Sequence, residues 1–166
     1  MEPKGTGRGP MGSFEILPHT ADVGFRASGA SLADLFETAA RAMFSIEYDP
    51  GSVAPDEERA VEAQADDVEG LLETWLSELL WLHDATGFVP GPVSVHDIGP
   101  VAAGALAARV AGTPEGAALR VAGTAGGRLI GDWFEQTGPQ IKAVTLHGLE
   151  VRQVDGHWEA TVYLDV

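Results

Sequence analysis

The sequence predicts an α+β domain, with a largely antiparallel or mixed sheet and two main helices packed on it. Three observations lead there. Two segments place apolar residues at helical spacing. Several shorter segments alternate apolar and polar residues. The chain is also broken into short runs by 21 glycines and 10 prolines in 166 residues. This length suits one domain, able to remove roughly 70% of its unfolded surface from water without staples.

In chain order, residues 1–13 are rich in Gly and Pro and read as a flexible tail, with the folded domain spanning 14–166. Lys4 and Arg8 are followed by no apolar stretch, so this start does not read as a secretory signal. Strands are expected at 14–17 and 23–28. Ser31 is a good N-cap, and Asp34 follows at the spacing of a capping box. Leu32, Leu35, Phe36, Ala39, Met43 and Phe44 then form one helical stripe, which the turn residues Tyr48-Asp49-Pro50-Gly51 should end. A strand is expected at 59–65. Asp66 and Asp67 suit the positive end of a second helix. Its apolar face runs through Val68, Leu71, Leu72, Trp75, Leu76, Leu79, Leu80 and Leu82, wide enough to be buried on two sides, and should stop near Gly87. Trp75 and Trp81 both read as core residues. Weaker, alanine-rich strands are expected at 93–97, 105–111 and 117–122. The Gly-rich stretch 123–127 reads as a hairpin turn. The clearest strands are 141–147, 149–154 and 158–166, with Asp155-Gly156 as a hairpin turn between the last two.

Charge and composition narrow the function. Ten basic against 25 acidic residues give a net charge of −15. A nucleic-acid binder needs a cationic surface to displace counterions, and an anionic membrane makes a similar demand. The acidity instead suits a cation, a basic protein partner, or simple solubility. There is no cysteine. Disulfides, thiolate zinc sites and a cysteine nucleophile are therefore excluded, and a reducing compartment is the natural fit. No apolar run approaches the roughly 20 residues of a membrane span.

Three places carry candidate chemistry. In the last strand, Trp158, Ala160, Val162, Leu164 and Val166 share one parity, and Asp165 falls on the other, polar one. As the penultimate residue, Asp165 brings its carboxylate close to the α-carboxylate of Val166. The pair is either a set of hard oxygen donors or a solvated chain end. His19-Thr20-Ala21-Asp22 lies in the turn between the first two strands, where an Asp commonly accepts local backbone bonds. Lys142 stands out because the chain has eight arginines and two lysines, the other being Lys4 in the tail. A compact ammonium is not interchangeable with a guanidinium, though a solvated strand lysine would look the same. Phosphate-loop, HExxH and GxSxG templates are absent. His19, His83, His96, His147 and His157 show no metal-ligand spacing.

Taken together these pieces resemble the archease family. FEILPHTADVGF at 14–25 resembles its opening strand–turn–strand, and SLADLFETAARAMFSI the helix that follows. DDVEGLLETWLSELLWL is similar to its second helix. IKAVTLHGL resembles its KAVTYH-type strand, and VYLDV its closing strand. The resemblance implies an α+β archease-like fold in a small cytoplasmic protein. It also implies a non-catalytic protein partner for the GTP-dependent RNA ligase of tRNA splicing and RNA repair, promoting guanylylation and repeated turnover. RNA would then be met only through the ligase. The resemblance further implies a divalent metal, Ca²⁺, held by Asp22, Asp165 and Val166. Hard-oxygen donors would also suit Mg²⁺ or Mn²⁺, and Lys142 and His19 are the candidate residues for partner contact and activation.

Two departures accompany it. The stretch before the KAVT-type strand, GDWFEQTGPQ at 131–140, is short and lacks the histidine family members often carry there. Leu146 replaces the family tyrosine. Two other functions share the same residues. One is a metal-dependent hydrolase in which Asp22 and Asp165 hold a metal-activated water and His19 or His147 is the base. The other is a chaperone-like interaction module with a structural metal.

Overall fold

The computed structural model describes residues 12–17, 22–101 and 118–166. His19, most of the expected tail and the expected strand at 105–111 lie outside the described residues. The elements are β1 (Ser13–Leu17), β2 (Val23–Gly29), α1 (Leu32–Glu47), β3 (Glu57–Ala65), α2 (Val68–Thr86), β4 (Phe88–Pro100), β5 (Leu119–Leu129), β6 (Ala143–Val154) and β7 (His157–Asp165).

Both helices begin and end where their caps dictate. The Ser31 side chain accepts from the Asp34 N–H at 3.1 Å, and the Asp34 carboxylate reaches back to the Ala30 N–H at 2.9 Å. Asp67 accepts from the Gly70 N–H at 2.7 Å. Gly87 closes α2 in the left-handed region, at φ 73°, where a side chain would be strained. Asp155 and Gly156, at φ 49° and 82°, form the tight β6–β7 turn with both residues left-handed.

The α+β expectation holds, with one difference in architecture. The strands form two antiparallel sheets rather than one: β1-β2-β7-β6 and β3-β5-β4. Each helix packs on both sheets, α1 chiefly on β2 and β4 and α2 chiefly on β3 and β6. The helices thus form a central layer, which explains the wide apolar face of α2. The core is continuous across the layers: Phe25, Val162 and Leu164 from the first sheet meet Leu35, Phe36, Met43, Phe44, Leu72, Trp75, Leu76 and Leu79 from the helices. Burying one such side chain contributes about 1.5–3 kcal/mol.

Three expectations are corrected. Residues 123–127 are not a turn but the middle of β5, paired on both sides with β3 and β4. The glycines are there for space. A Cβ on Gly123 would overlap the Ser94 carbonyl oxygen, and one on Gly127 the Val89 carbonyl oxygen. The segments at 141–147 and 149–154 are one strand, β6, interrupted by a bulge. Between Thr145↔Tyr163 and Glu150↔Thr161, residues 146–149 stand against Val162 alone. Finally, Trp81 is 60% exposed. It lies on the stripe of α2 that carries Ser77, Glu78 and Asp84, opposite the packed face of Trp75.

Candidate functional site

The register of the first sheet assembles most of the expected site. In β2 and β7, Val23 pairs with Leu164. Asp22 precedes Val23 and Asp165 follows Leu164, so antiparallel geometry sets the two aspartates across from each other. On the other side of β7, Ala143 pairs with Asp165. The main-chain N–H of Lys142 donates to the Asp165 carbonyl at 2.7 Å. Asp22, Asp165, Val166 and Lys142 therefore occupy one end of three adjacent strands. His19 lies outside the described residues.

Alternation fixes which face this is. Phe25, Ala27, Ala160, Val162 and Leu164 are buried against the helices. Their neighbours Gly24, Arg26, Tyr163, Thr161 and Asp165 are on the other, open face of the sheet. Beside the aspartates, the Tyr163 ring lies across two glycines. A Cβ on Gly24 would come within 2.7 Å of one ring edge, and one on Gly148 within 3.0 Å of the other. Gly148 is left-handed, at φ 75°, and belongs to the β6 bulge. The bulge also carries the exposed Leu146 and His147, the N–H of His147 donating to the Thr145 hydroxyl at 3.0 Å.

Among the described residues no group of three or more His, Cys, Asp or Glu side chains is gathered to hold a metal. The corner offers two carboxylate side chains, from Asp22 and Asp165, and the main-chain oxygen of Val166 beside them. All its donors are hard oxygens, so its chemistry fits Ca²⁺, Mg²⁺ or Mn²⁺ rather than Zn²⁺. With so few protein ligands, water or a partner group would complete the shell.

A second polar assembly lies inside the core. Glu47, the last residue of α1, is 3% exposed, and His83 in α2 is 6% exposed. His83 Nε2 is 3.1 Å from Glu47 Oε1, and Nδ1 is 3.0 Å from the Phe88 carbonyl. A carbonyl only accepts, so Nδ1 carries a hydrogen. The Nε2–Oε1 contact then requires a proton between the two groups. Burial by itself pushes the His83 pKa down. The hydrogen bonds to Glu47 and Phe88 and the negative charges of Glu47 and Asp84 outweigh it, so the net shift is upward. Phe44, Tyr48 and Phe134 surround the imidazole at ring distances of 5.8, 5.5 and 6.2 Å. The Tyr48 hydroxyl donates to the Pro90 carbonyl at 2.6 Å. Burial and the Glu47 charge push its pKa up, keeping it neutral.

Scanning the five histidines for metal spacing misses this pair. The helical stripes contain it: Glu47 continues the apolar series Phe36, Ala40, Met43, Phe44, and His83 continues Trp75, Leu76, Leu79, Leu80. A carboxylate and an imidazole at the buried ends of two apolar stripes are candidates to meet.

The comparisons with known proteins agree with this architecture. Residues 14–166 match the Archease protein family (MTH1598/TM1083). The archease of Methanothermobacter thermautotrophicus is 36% identical over 156 residues, covering 94% of this chain and all of that one. The archease of Thermococcus kodakarensis is 32% identical over 157 residues, again covering 94% of this chain and all of its own. The solution structure of Methanobacterium thermoautotrophicum protein 1598 superposes with a TM-score of 0.71 at 35% identity, covering 92% of this chain and 98% of that one. The crystal structure of a Thermotoga maritima archease, described as a possible chaperone, shares the fold with a TM-score of 0.52 at 22% identity, over 90% of this chain and 94% of that one. Matched to the family model from its first strand to its last residue, and over 30% identical to relatives it spans end to end, the chain belongs to the archease family.

Proposed function

We propose that this chain is a non-catalytic activator of the GTP-dependent RNA ligase of tRNA splicing and RNA repair. It promotes guanylylation of the ligase and repeated turnover, and works in the cytoplasm with RNA bound by the ligase alone. Asp22, Asp165 and the Val166 carboxylate hold a divalent cation, most simply Ca²⁺, and Lys142 meets an anionic group of the ligase–nucleotide complex. The observation that carries this reading is the strand register. It places the only lysine of residues 14–166 beside Asp165, and Asp22 across from Asp165, at one end of the sheet. When bound, the cation would supply a positive centre that offsets the repulsion among the carboxylates and can accept an oxygen from the partner. The net charge of −15 supports a protein partner over direct RNA binding. No helix among the described residues is long and apolar enough to cross a membrane.

The test is a reconstitution with the cognate ligase, GTP and RNA ends. The full chain should raise the rate of ligase guanylylation and convert single to multiple turnover. Asp22→Ala and Lys142→Ala should not. Incubated alone with nucleotides and phosphoesters, the chain should release no product. Turnover without the ligase would overturn the reading in favour of a metal-dependent hydrolase.

A further inference from the structure

Glu47 does more than pair with His83. Its main-chain carbonyl accepts from the N–H groups of Thr137 and Gly138, at 2.9 and 3.1 Å. Its second carboxylate oxygen, Oε2, accepts from the N–H of Ile141 at 3.4 Å. Ile141 is fully buried and directly precedes Lys142. One residue at the end of α1 thus anchors three points of the segment that delivers Lys142 to β6. The segment is also seated by contact. Gly138 lies so close to α1 that a Cβ on it would overlap the Ile46 carbonyl oxygen. Phe134 packs its ring 5.5 Å from that of Tyr48. The last link is the Lys142 N–H, which donates to the Asp165 carbonyl at 2.7 Å. A continuous path therefore runs from Phe88 through His83, Glu47 and Ile141 to Lys142 and Asp165.

We propose that Glu47, held by His83, is a positioning residue for the Lys142–Asp165 corner. An exposed lysine at a strand entrance has many rotamers and a main chain prone to fraying, so placing its ammonium reproducibly requires that the residue before it be fixed. The buried carboxylate fixes it. The inference rests on the reading of Lys142 as an activation residue. The geometry also says which replacement should succeed. A glutamine at 47 can donate its amide N–H to the Nε2 of a neutral His83 and accept from Ile141 with its oxygen, keeping every bond without a charge. An alanine keeps none of the side-chain bonds.

The experiment compares Glu47→Ala, Glu47→Gln, Gly138→Ala and Lys142→Ala by amide hydrogen exchange and by ligase guanylylation. In Glu47→Ala the amides of Ile141 and Lys142 should exchange about tenfold faster while those of β2 and β7 keep their protection, and stimulation should fall to the level of Lys142→Ala. Glu47→Gln should retain both protection and stimulation. Gly138→Ala leaves the His83–Glu47 pair intact but lifts the segment, and should lose stimulation too. It decides the matter if Glu47→Ala fails to fold. Unchanged protection at Ile141 and Lys142 in a folded Glu47→Ala, or full stimulation by either Glu47→Ala or Gly138→Ala, would overturn the proposal. If Lys142→Ala itself stimulates like the wild type, the activation reading fails instead, and the exchange data still report whether Glu47 orders the segment.

Discussion

The main-chain N–H of Lys142 donates to the carbonyl of Asp165 at 2.7 Å, so the chain's most distinctive cation is tied through its backbone, not its ammonium, to the penultimate residue. The side chain is exposed. Lys142→Ala should therefore change stability by no more than about 0.5 kcal/mol, as surface substitutions usually do. Ligase stimulation should be lost, and Lys142→Arg should restore it only in part, because a guanidinium presents a planar fork where an ammonium presents a point charge. Thermal melts beside guanylylation assays test both halves. Wild-type stimulation by Lys142→Ala removes this residue from the site.

Metal binding should appear as a ligand-dependent rise in stability. A cation that binds the folded state alone stabilises it by about 2.7 kcal/mol at one hundred times its dissociation constant. The wild type should melt higher in Ca²⁺ than in chelator. Asp22→Ala removes one donor, and a tag appended to Val166 converts the terminal carboxylate to an amide. Each should shrink or abolish the Ca²⁺ effect without altering helical circular dichroism. The same calorimetric Ca²⁺ affinity in both variants as in the wild type would move the site elsewhere.

The buried His83–Glu47 pair should make stability pH-dependent in a definite direction. The folded pKa of His83 lies above its ordinary value of 6.5. The folded state thus holds the proton more tightly than the unfolded state does. The resulting stabilisation is present in full below about pH 6.5 and declines as pH rises through the higher, folded value. Urea midpoints of the wild type should fall over that rise, and those of Glu47→Gln should fall less. Removing one partner, as in His83→Ala, should cost about 3–5 kcal/mol by stranding the buried carboxylate. Identical pH profiles for wild type and Glu47→Gln would show that the shared proton adds nothing to stability.

Gly127 offers a packing test in the second sheet. A Cβ there would overlap the Val89 carbonyl oxygen and stand 2.9 Å from the Phe88 ring. Gly127→Ala should destabilise by about 1–3 kcal/mol, the usual penalty for overfilling a packed core. Gly156→Ala, with nothing within 4 Å of its Cβ, should perturb only the turn. Chemical denaturation of the two variants separates the effects, and a neutral Gly127→Ala would contradict the close approach of β4 and β5.

The isolated protein should bind RNA weakly at most. With ten basic against 25 acidic residues, it has few cations with which to displace the counterions of RNA phosphates. A gel-shift titration at low salt checks this, and tight binding that weakens steeply with added salt would contradict it.

Local physics made the helices and the hairpin legible in the sequence. Ser31 and Asp67 mark helix starts because their side chains accept from N–H groups that lack a partner within the helix. Gly87 marks an end because it adopts a left-handed backbone, and Asp155-Gly156 marks a turn for the same backbone reason. The stripes of α1 and α2 likewise announced a buried face. The sequence alone could not say what each face would meet. Whether glycines at 123–127 turn the chain or let a third strand approach depends on β4, which is distant in sequence. Trp81 looked like core because an apolar ring has no direction in a sequence; only the placement of α2 between two sheets put it outside. The candidate site divides in the same way. Asp22, Lys142 and Asp165 were visible as residues and by resemblance, and their convergence required the antiparallel register of β2, β7 and β6. The Glu47–His83 pair divides too: each residue lies on its helix's apolar stripe, but only the packing of the helices brings the two, 36 residues apart, to 3.1 Å.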